Sequence, residues 1–337
     1  MRIGLICPPW VPIPPPSYGG TELVVDLLAR GLQREGHQVL LAAAADSSCP
    51  VPMVPGTEKA NFAELNEVKS HLSHVVIAYQ AMRGVDIIHD HTLGGPLYRG
   101  RPTGMPVVTT NHGPFDAQTN TVFRAFAHDT TTVAISANQA SHAVGFQVDT
   151  VIHHGIEIAA VPVGVGDGGY AACLARMSPS KGIADAIQIA RTADVPLRIA
   201  AKMREPNEIA YYEQEVRPLL SREHEYLGEI TEDEKYELLG GAFAMLNPIR
   251  WAEPFGLTMI ESLATGTPVV GTPYGSAPEI IQSGITGYLA RSEELARLLP
   301  LAADLDRAAC RARAEDRFSS ERMVANHIAL YRSMLNR

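Results

Sequence analysis

Short runs of aliphatic residues recur along the chain with helix-length segments between them, and this spacing limits the fold more than any other feature. RIGLIC (2–7), QVLLAAA (38–44), DIIHD (86–90), PVVTTN (106–111) and TTVAIS (131–136) read as strands. Between the first two lies GGTELVVDLLARGLQREGH, with Leu23, Leu27, Leu28 and Leu32 at helical spacing. Thr21 and Glu22 are expected to cap its start and Gly36 its end. Short apolar strands joined by helices require a parallel sheet covered on both faces.

The pattern then restarts. After a small, Gly-rich stretch, IAAVPVGVGDGG (158–169), come YAACLAR (170–176), a helix at 181–193, PLRIAA (196–201), a helix around 207–222, HEYLG (224–228), AFAMLNP (242–248) and PVVGT (268–272). With 337 residues, 46% of them apolar, the chain suits two domains of about 150 residues each. The Gly-rich stretch is the expected connector, placing the domains at 1–157 and 165–317. The fold class is α/β, with two doubly wound Rossmann-like domains; facing each other, they would bring the carboxyl ends of both sheets to a shared cleft, where such folds bind ligands. In the last helix, about 320–337, Val324, Ile328, Tyr331 and Leu335 form one apolar stripe. A membrane-surface helix is the rival reading, but acids interleave with the bases, so the helix is expected to pack back on a domain.

A net charge of −9 argues against nucleic acid as partner. Cys7, Cys49, Cys173 and Cys310 lie far apart without metal-ligand spacing, which fits reduced thiols in a cytoplasm. The apolar run in MRIGLICPPW stops at Pro8-Pro9, so it reads as a first strand rather than a signal peptide. No run reaches the roughly 18 apolar residues of a membrane span.

Four constellations bear on chemistry. In WAEPFGLTMIESLATGTPVV (251–270), a loop carrying Glu253-Pro254 leads into a helix beginning near Phe255-Gly256-Leu257-Thr258. Its free N–H groups and dipole favour a diphosphate, and carboxylates at Glu253 and Glu261 suit sugar and ribose hydroxyls, because both oxygens accept. The bland reading makes Glu253 a helix-start acid and Glu261 a solvated one. Glu261, however, lies between Ile260 and Leu263 on a helix that must be largely buried, where an unexplained charge is costly. In LARMSPSKG (174–182), Arg176 ends a strand and Lys181 opens a helix, so both project from a sheet's carboxyl edge and would neutralise a diphosphate. In PPPSYGGTE (14–22), Gly19-Gly20 precedes a helix as a phosphate cradle or a simple tight turn, and does not fit the dinucleotide fingerprint. Histidines end two strands: His89 and His91 in DIIHDH, and His112 in TTNHGP. The His-x-His pair suggests a metal, but no third ligand is evident; a neutral imidazole at His112 bonding a sugar hydroxyl is preferred. Asn138 and Gln139 are candidates to line the same cleft, and His153-His154 reads as a structural turn.

Together these stretches resemble the GT-B glycosyltransferases of family GT4, which are retaining and use sugar nucleotides. The motifs are YGGTE (18–22), TNHG (110–113), ARMSPSKG (175–182), YLGEI (226–230), and EPFGLTMIE (253–261) with GTPVV (266–270). The resemblance implies a first domain for the acceptor, with the last helix crossing back onto it, and a second for the donor. It implies that Arg176 and Lys181 bind the diphosphate, Glu253 the donor sugar and Glu261 the ribose. It further implies that His112 reaches the sugar, that Gly19 and Gly20 approach the phosphates, and that Glu229 and Ile230 lie near the base. Phe255, Gly256, Leu257 and Thr258 would border the donor, and Tyr18, His91 and Asn138 the acceptor. The chain is short for the family in its first half. AAKMREP (200–206) stands where relatives have a Gly-rich turn, offering Lys202 or Arg204 to the donor, and VIHHGIE replaces an Asn-Gly turn.

The expected reaction moves a hexosyl unit from a nucleoside diphosphate sugar, uridine first and guanosine second, to the hydroxyl of a small metabolite, lipid-linked sugar or natural product. No metal or other cofactor is required, since cationic side chains meet the leaving group. A sugar-nucleotide epimerase, or a non-catalytic sugar-nucleotide binder, are the alternatives; product analysis with donor and acceptors separates them.

Overall fold

The computed structural model describes residues 1–16, 19–65 and 67–336. Tyr18, expected at the acceptor, lies outside the described residues. The chain forms two compact units: Met1–Gly155 with Ser320–Arg337, and Ile156–Ser319.

Unit 1 is built on a parallel six-stranded sheet of order β2-β1-β3-β4-β5-β6. Its strands are β1 (Arg2–Ile6), β2 (Gln38–Ala42), β3 (Ile87–Asp90), β4 (Val107–Thr110), β5 (Thr131–Ala134) and β6 (Thr150–Val151). The last has two residues, too few to leave a periodic signature. β3 and β4 are buried throughout, as central parallel strands must be. The helices are α1 (Gly20–Arg34), α2 (Val68–Ala81), α3 (Ala117–Phe126) and α4 (Ala137–Ser141). Gly19 is the N-cap of α1 and no side chain caps it, so Thr21 and Glu22 sit in the first turn rather than at the cap. The C-terminal helix (Ser320–Leu335) returns to this unit with Val324, Ile328 and Tyr331 buried and Leu335 exposed. Val324 presses on α1 at Gly31, where a Cβ would lie 2.4 Å from its Cγ2.

Unit 2 has a second six-stranded parallel sheet, β12-β11-β10-β7-β8-β9. Its strands are β7 (Ala171–Arg176), β8 (Leu197–Lys202), β9 (His224–Gly228), β10 (Ala244–Asn247), β11 (Val269–Gly271) and β12 (Gly287–Leu289). The helices are α5 (Ile183–Thr192), α6 (Pro206–Tyr211), α7 (Glu232–Gly241), α8 (Leu257–Ala264), α9 (Ala277–Ile280), α10 (Ser292–Leu298) and α11 (Arg307–Phe318). The single helix expected at 207–222 is broken: α6 passes into a π turn at Tyr212–Val216 and a 3-10 turn at Arg217–Leu219. Pro218, which has no N–H to donate, lies within that 3-10 turn, so an α-helical ladder cannot run on through it.

Residues 158–169, the expected connector, are packed within unit 2. Gly164 N–H donates to the Thr265 carbonyl at 2.9 Å and Gly166 N–H to the Gly240 carbonyl at 3.0 Å. Arg307 locks this seam: its guanidinium donates to the carbonyls of Gly164 (3.1 Å), Ala242 (3.0 Å) and Gly240 (3.0 Å) and to Thr267 Oγ1 (2.8 Å). Small residues are needed here because two backbones meet, so the composition of a connector reports a packing seam. Arg307→Met strips those acceptors of their donors and should cost about 2–4 kcal/mol in urea unfolding. Arg307→Lys should not restore it, since one ammonium cannot span the fork. Wild-type stability in either variant would contradict this role.

Candidate active site

In unit 2 the expected cations gather at the sheet's carboxyl edge. Arg176 ends β7 and Lys202 ends β8, and the two are register partners. Arg176 is partly exposed and faces Glu208, whose carboxylate is buried, across 3.5 Å from its Nε. Glu208 is fixed from behind: its Oε2 accepts the N–H groups of Arg204 (2.8 Å) and Glu205 (3.1 Å) in a capping box that opens α6. Burial lowers the pKa of Lys202, and repulsion from Arg204 adds to this. Arg204 pairs with Glu229 at 2.7 Å, and Ile230 follows, half-buried. Glu208 escaped the sequence reading, although Glu205-Pro206 with glutamate three positions after the cap is a legible helix-start signal.

The turn after β7 and the loop after β10 are stitched together, as pairing of those strands requires. Arg250 N–H donates to the Ser180 carbonyl at 2.8 Å, and its guanidinium pairs with Asp185. Across this seam the Lys181 ammonium bonds the Glu253 carboxylate, with side chains only 12% and 13% exposed. Trp251 covers the ammonium, its ring centroid 5.7 Å away. The Glu253 loop is held from the other side by Ser276, whose N–H donates to the Glu253 carbonyl at 3.0 Å and whose hydroxyl bonds the Phe255 carbonyl. Gly275, at φ +61°, allows this contact: a Cβ there would lie 2.3 Å from the Glu253 nitrogen.

Gly256 is the N-cap of α8 in the left-handed region, φ +95°. It turns the chain so that the first N–H groups of α8 follow directly on the Lys181–Glu253 pair, with Leu257 and Thr258 half-buried in the first turn. Phe255 departs from expectation: its ring is buried against Phe318, centroids 6.0 Å apart, so only its backbone borders the turn. Glu261 is buried, and Lys235 of α7 bonds its Oε1 at 2.7 Å. The charge that the sequence left without a counterion therefore has one. Nothing in TEDEKYELLG marks Lys235 as that partner; only the packing of α7 on α8 does.

In unit 1 the strand-end histidines form a connected cluster. His89 is fully buried, its Nδ1 2.7 Å from the Tyr331 hydroxyl and its Nε2 2.8 Å from Thr110 Oγ1. His91 Nδ1 lies 2.9 Å from His112 Nε2, and His112 Nδ1 lies 3.3 Å from His154 Nε2. Two expectations change. His91 is buried and touches His112, not an open surface. His154, expected to be only a turn residue, joins the cluster, and both ring nitrogens of His112 are engaged within the unit. Gln139 is likewise internal, accepting from the Ile135 N–H and donating to the carbonyls of Asn111 and Gly113, so it shapes the turn that carries His112. Asn138 is half-buried, and its carbonyl accepts from Ser141 Oγ at 2.7 Å. Gly19 and Gly20 lead into α1. Among the described residues, no three His, Cys, Asp or Glu side chains are arranged to hold a metal ion.

Comparison with known proteins fits this architecture. Residues 18–160 match the family model described as Glycosyltransferase Family 4, and residues 161–311 that described as Glycosyl transferases group 1. Together these models run through both units: the chain belongs to the GT4-type glycosyltransferases and has the GT-B fold. A stretch of 64 residues is 44% identical to the N-acetyl-alpha-D-glucosaminyl L-malate synthase of Bacillus anthracis, covering 19% of this chain and 16% of that protein. The chain thus matches about a quarter or less of the length of its curated relatives. Among solved structures, AviGT4, a glycosyltransferase involved in avilamycin A biosynthesis, is 23% identical with a TM-score of 0.74, covering 99% of this chain and 98% of that one. The Anabaena HepE protein in complex with UDP and glucose is 19% identical with a TM-score of 0.76, covering 99% and 100%.

The histidine cluster has a consequence for stability. Burial holds His112 at about 3 and His327, on the C-terminal helix with its ring centroid 5.2 Å from that of His89, at about 4, and pulls His89, His91 and His154 well below the ordinary imidazole range. Each folded-state value lies below the unfolded value of about 6.5, so the unfolded chain binds more protons between them. The contribution is complete above about pH 6.5 and is lost as pH falls toward the folded values. Unfolding free energy should drop as pH falls from 6.5 to 5, with a slope that approaches about 1.4 kcal/mol per pH unit for each histidine toward pH 5, and His154→Asn should flatten the slope there by one proton. Equal slopes in the two proteins would contradict the assignment.

Proposed function

We propose that the chain is a retaining transferase that moves a hexosyl unit from a nucleoside diphosphate sugar to an acceptor hydroxyl, with a uridine donor favoured and a guanosine donor second. The observation that carries this is the Lys181–Glu253 pair at the threshold of α8, with Arg176 on the neighbouring strand end. A diphosphate arriving there takes Lys181 and Arg176 as counter-charges and the first amides of α8 as donors. Glu253, released from Lys181, is free to accept hydroxyls of the transferred sugar, and Glu261, with Lys235 behind it, to accept those of the ribose.

The bond from the sugar's anomeric carbon to the β-phosphate oxygen breaks as the acceptor oxygen bonds the same carbon from the same face. The acceptor proton passes to the departing phosphate, so no protein base is needed. Negative charge grows on the diphosphate, and fixed cations and amides stabilise it more in the transition state than in the ground state. Those cations take the place of a metal in this reading, and unit 1 supplies the acceptor. The HepE structure with UDP and glucose supports the choice of uridine. The four cysteines are free thiols, in keeping with a cytoplasmic setting, and no helix among the described residues is long and apolar enough to cross a membrane.

Lys181→Ala should lower the rate of UDP release from UDP-glucose, or of GDP release from GDP-mannose, by about a hundredfold or more while the protein stays folded. A near-normal rate would remove Lys181 from the leaving-group role. Activity unchanged by EDTA and a product that keeps the donor's anomeric configuration are the companion expectations.

A further inference from the structure

Helices α7 and α8 of unit 2 are joined by a single pair of charges. Lys235 is the only base of α7, and Glu261 is the only charged residue of α8. Lys235 Nζ lies 2.7 Å from Glu261 Oε1, and the two side chains are 17% and 7% exposed. Burying both charges costs about as much as their attraction returns, and a well-packed apolar pair would join two helices equally well. Stability alone therefore gives no reason for charges at this contact.

Lys235 is a fixed point. Thr231 and Glu234 close a capping box that sets the start of α7. One turn on, the Lys235 ammonium rests over the Tyr236 ring, 4.5 Å from its centroid, with Glu232 Oε1 3.7 Å away. Glu261 is thereby anchored through one oxygen. Its other oxygen, Oε2, accepts from no described residue and is not sealed from solvent. Helical side chains lean toward the N-terminus, and Glu261 stands four residues after Leu257, the first residue of α8. The carboxylate thus lies about one turn, roughly 5.4 Å, behind the first amides of the helix. A ribose hung by its 5′ carbon from a phosphate at those amides brings its 2′ and 3′ hydroxyls to that depth.

We propose that Lys235 is a positioning residue that turns Glu261 into a selector for ribose, so that the chain takes ribonucleotide donors and rejects 2′-deoxyribonucleotide ones. A carboxylate free to rotate accepts whichever hydroxyl arrives. One held at Oε1 offers its remaining lone pairs in a set direction, matched to a rigid cis diol, and loses no freedom on binding it. A ligand without the 2′ hydroxyl leaves that acceptor desolvated and unmet, which is how a hydrogen-bonding site rejects an analogue lacking one group. The inference rests on the transferase reading and narrows its donor to a nucleotide that carries ribose.

The test is calorimetric titration of the full chain with UDP and 2′-deoxy-UDP, and with GDP and 2′-deoxy-GDP in parallel. The readout is the ratio of ribo to deoxy affinity, because losing a cation weakens both forms alike through charge. Wild type should favour the ribonucleotide by about tenfold or more, the value of a hydrogen bond to a charged group. Lys235→Met should bring the ratio to about threefold or less. In a Glu261→Gln background, adding Lys235→Met should leave the ratio where it was, since Lys235 acts only through Glu261. If Lys235→Met alone does not fold, this second comparison carries the test, because the double variant leaves no charge unpaired. The proposal is overturned, with the donor reading intact, if wild type binds the two forms alike, if Lys235→Met keeps the wild-type ratio, or if Lys235→Met changes the ratio when Glu261 is already Gln. Wild type that binds neither UDP nor GDP overturns the donor reading, and this inference with it.

Discussion

An ammonium and a carboxylate, both largely withdrawn from water, meet where two strand-to-helix turns of unit 2 touch. The Lys181–Glu253 pair is costly to desolvate, and its geometry has to be held from several sides to be worth keeping. The surrounding structure does this. Arg250 joins the two turns, Ser276 and Gly275 brace the glutamate's backbone, and Trp251 covers the lysine. In the function proposed above, a ligand's charge replaces one partner of this firmly assembled pair and its hydroxyls engage the other.

The same principle orders the outlying charges. Glu208 is locked by two backbone amides and turns its remaining oxygen toward Arg176, so a buried acid orients a partly exposed cation. Lys235 stands behind Glu261 and gives a carboxylate deep in the α7–α8 contact its counter-charge. In unit 1 the charges are replaced by imidazoles that burial keeps neutral, each with one N–H and one lone pair, so that they bond one another in a chain. The strand ends of unit 2 are thus built from fixed charge, and those of unit 1 from neutral hydrogen-bonding groups.

Much of this was legible in the sequence. Strand and helix periodicity is a local property, so the alternation that fixes both parallel sheets could be read directly, as could the positions of Arg176 and Lys181 at the end of β7 and the start of the following turn. Glu261 announced a problem, a charge between Ile260 and Leu263, without naming Lys235, because only the packing of α7 on α8 puts them together. Glu208 was readable in principle from its capping box. His154 was not, since VIHHG looks like any turn until the sheet brings it beside His112. The Gly-rich stretch misled for a physical reason: small residues serve a flexible connector and a tight seam equally well, and only the fork of Arg307 reveals which one is present.

The central claim is that a diphosphate displaces Glu253 from Lys181. Calorimetric titration of UDP, and of GDP in parallel, into wild type and Glu253→Gln tests it most directly, because these ligands carry the diphosphate and no sugar. Removing the competing carboxylate should free the ammonium and relieve repulsion, so the variant should bind the nucleotide about threefold or more tightly. Equal or weaker binding by the variant would mean that Lys181 and Glu253 are simply a structural pair and that the diphosphate lodges elsewhere.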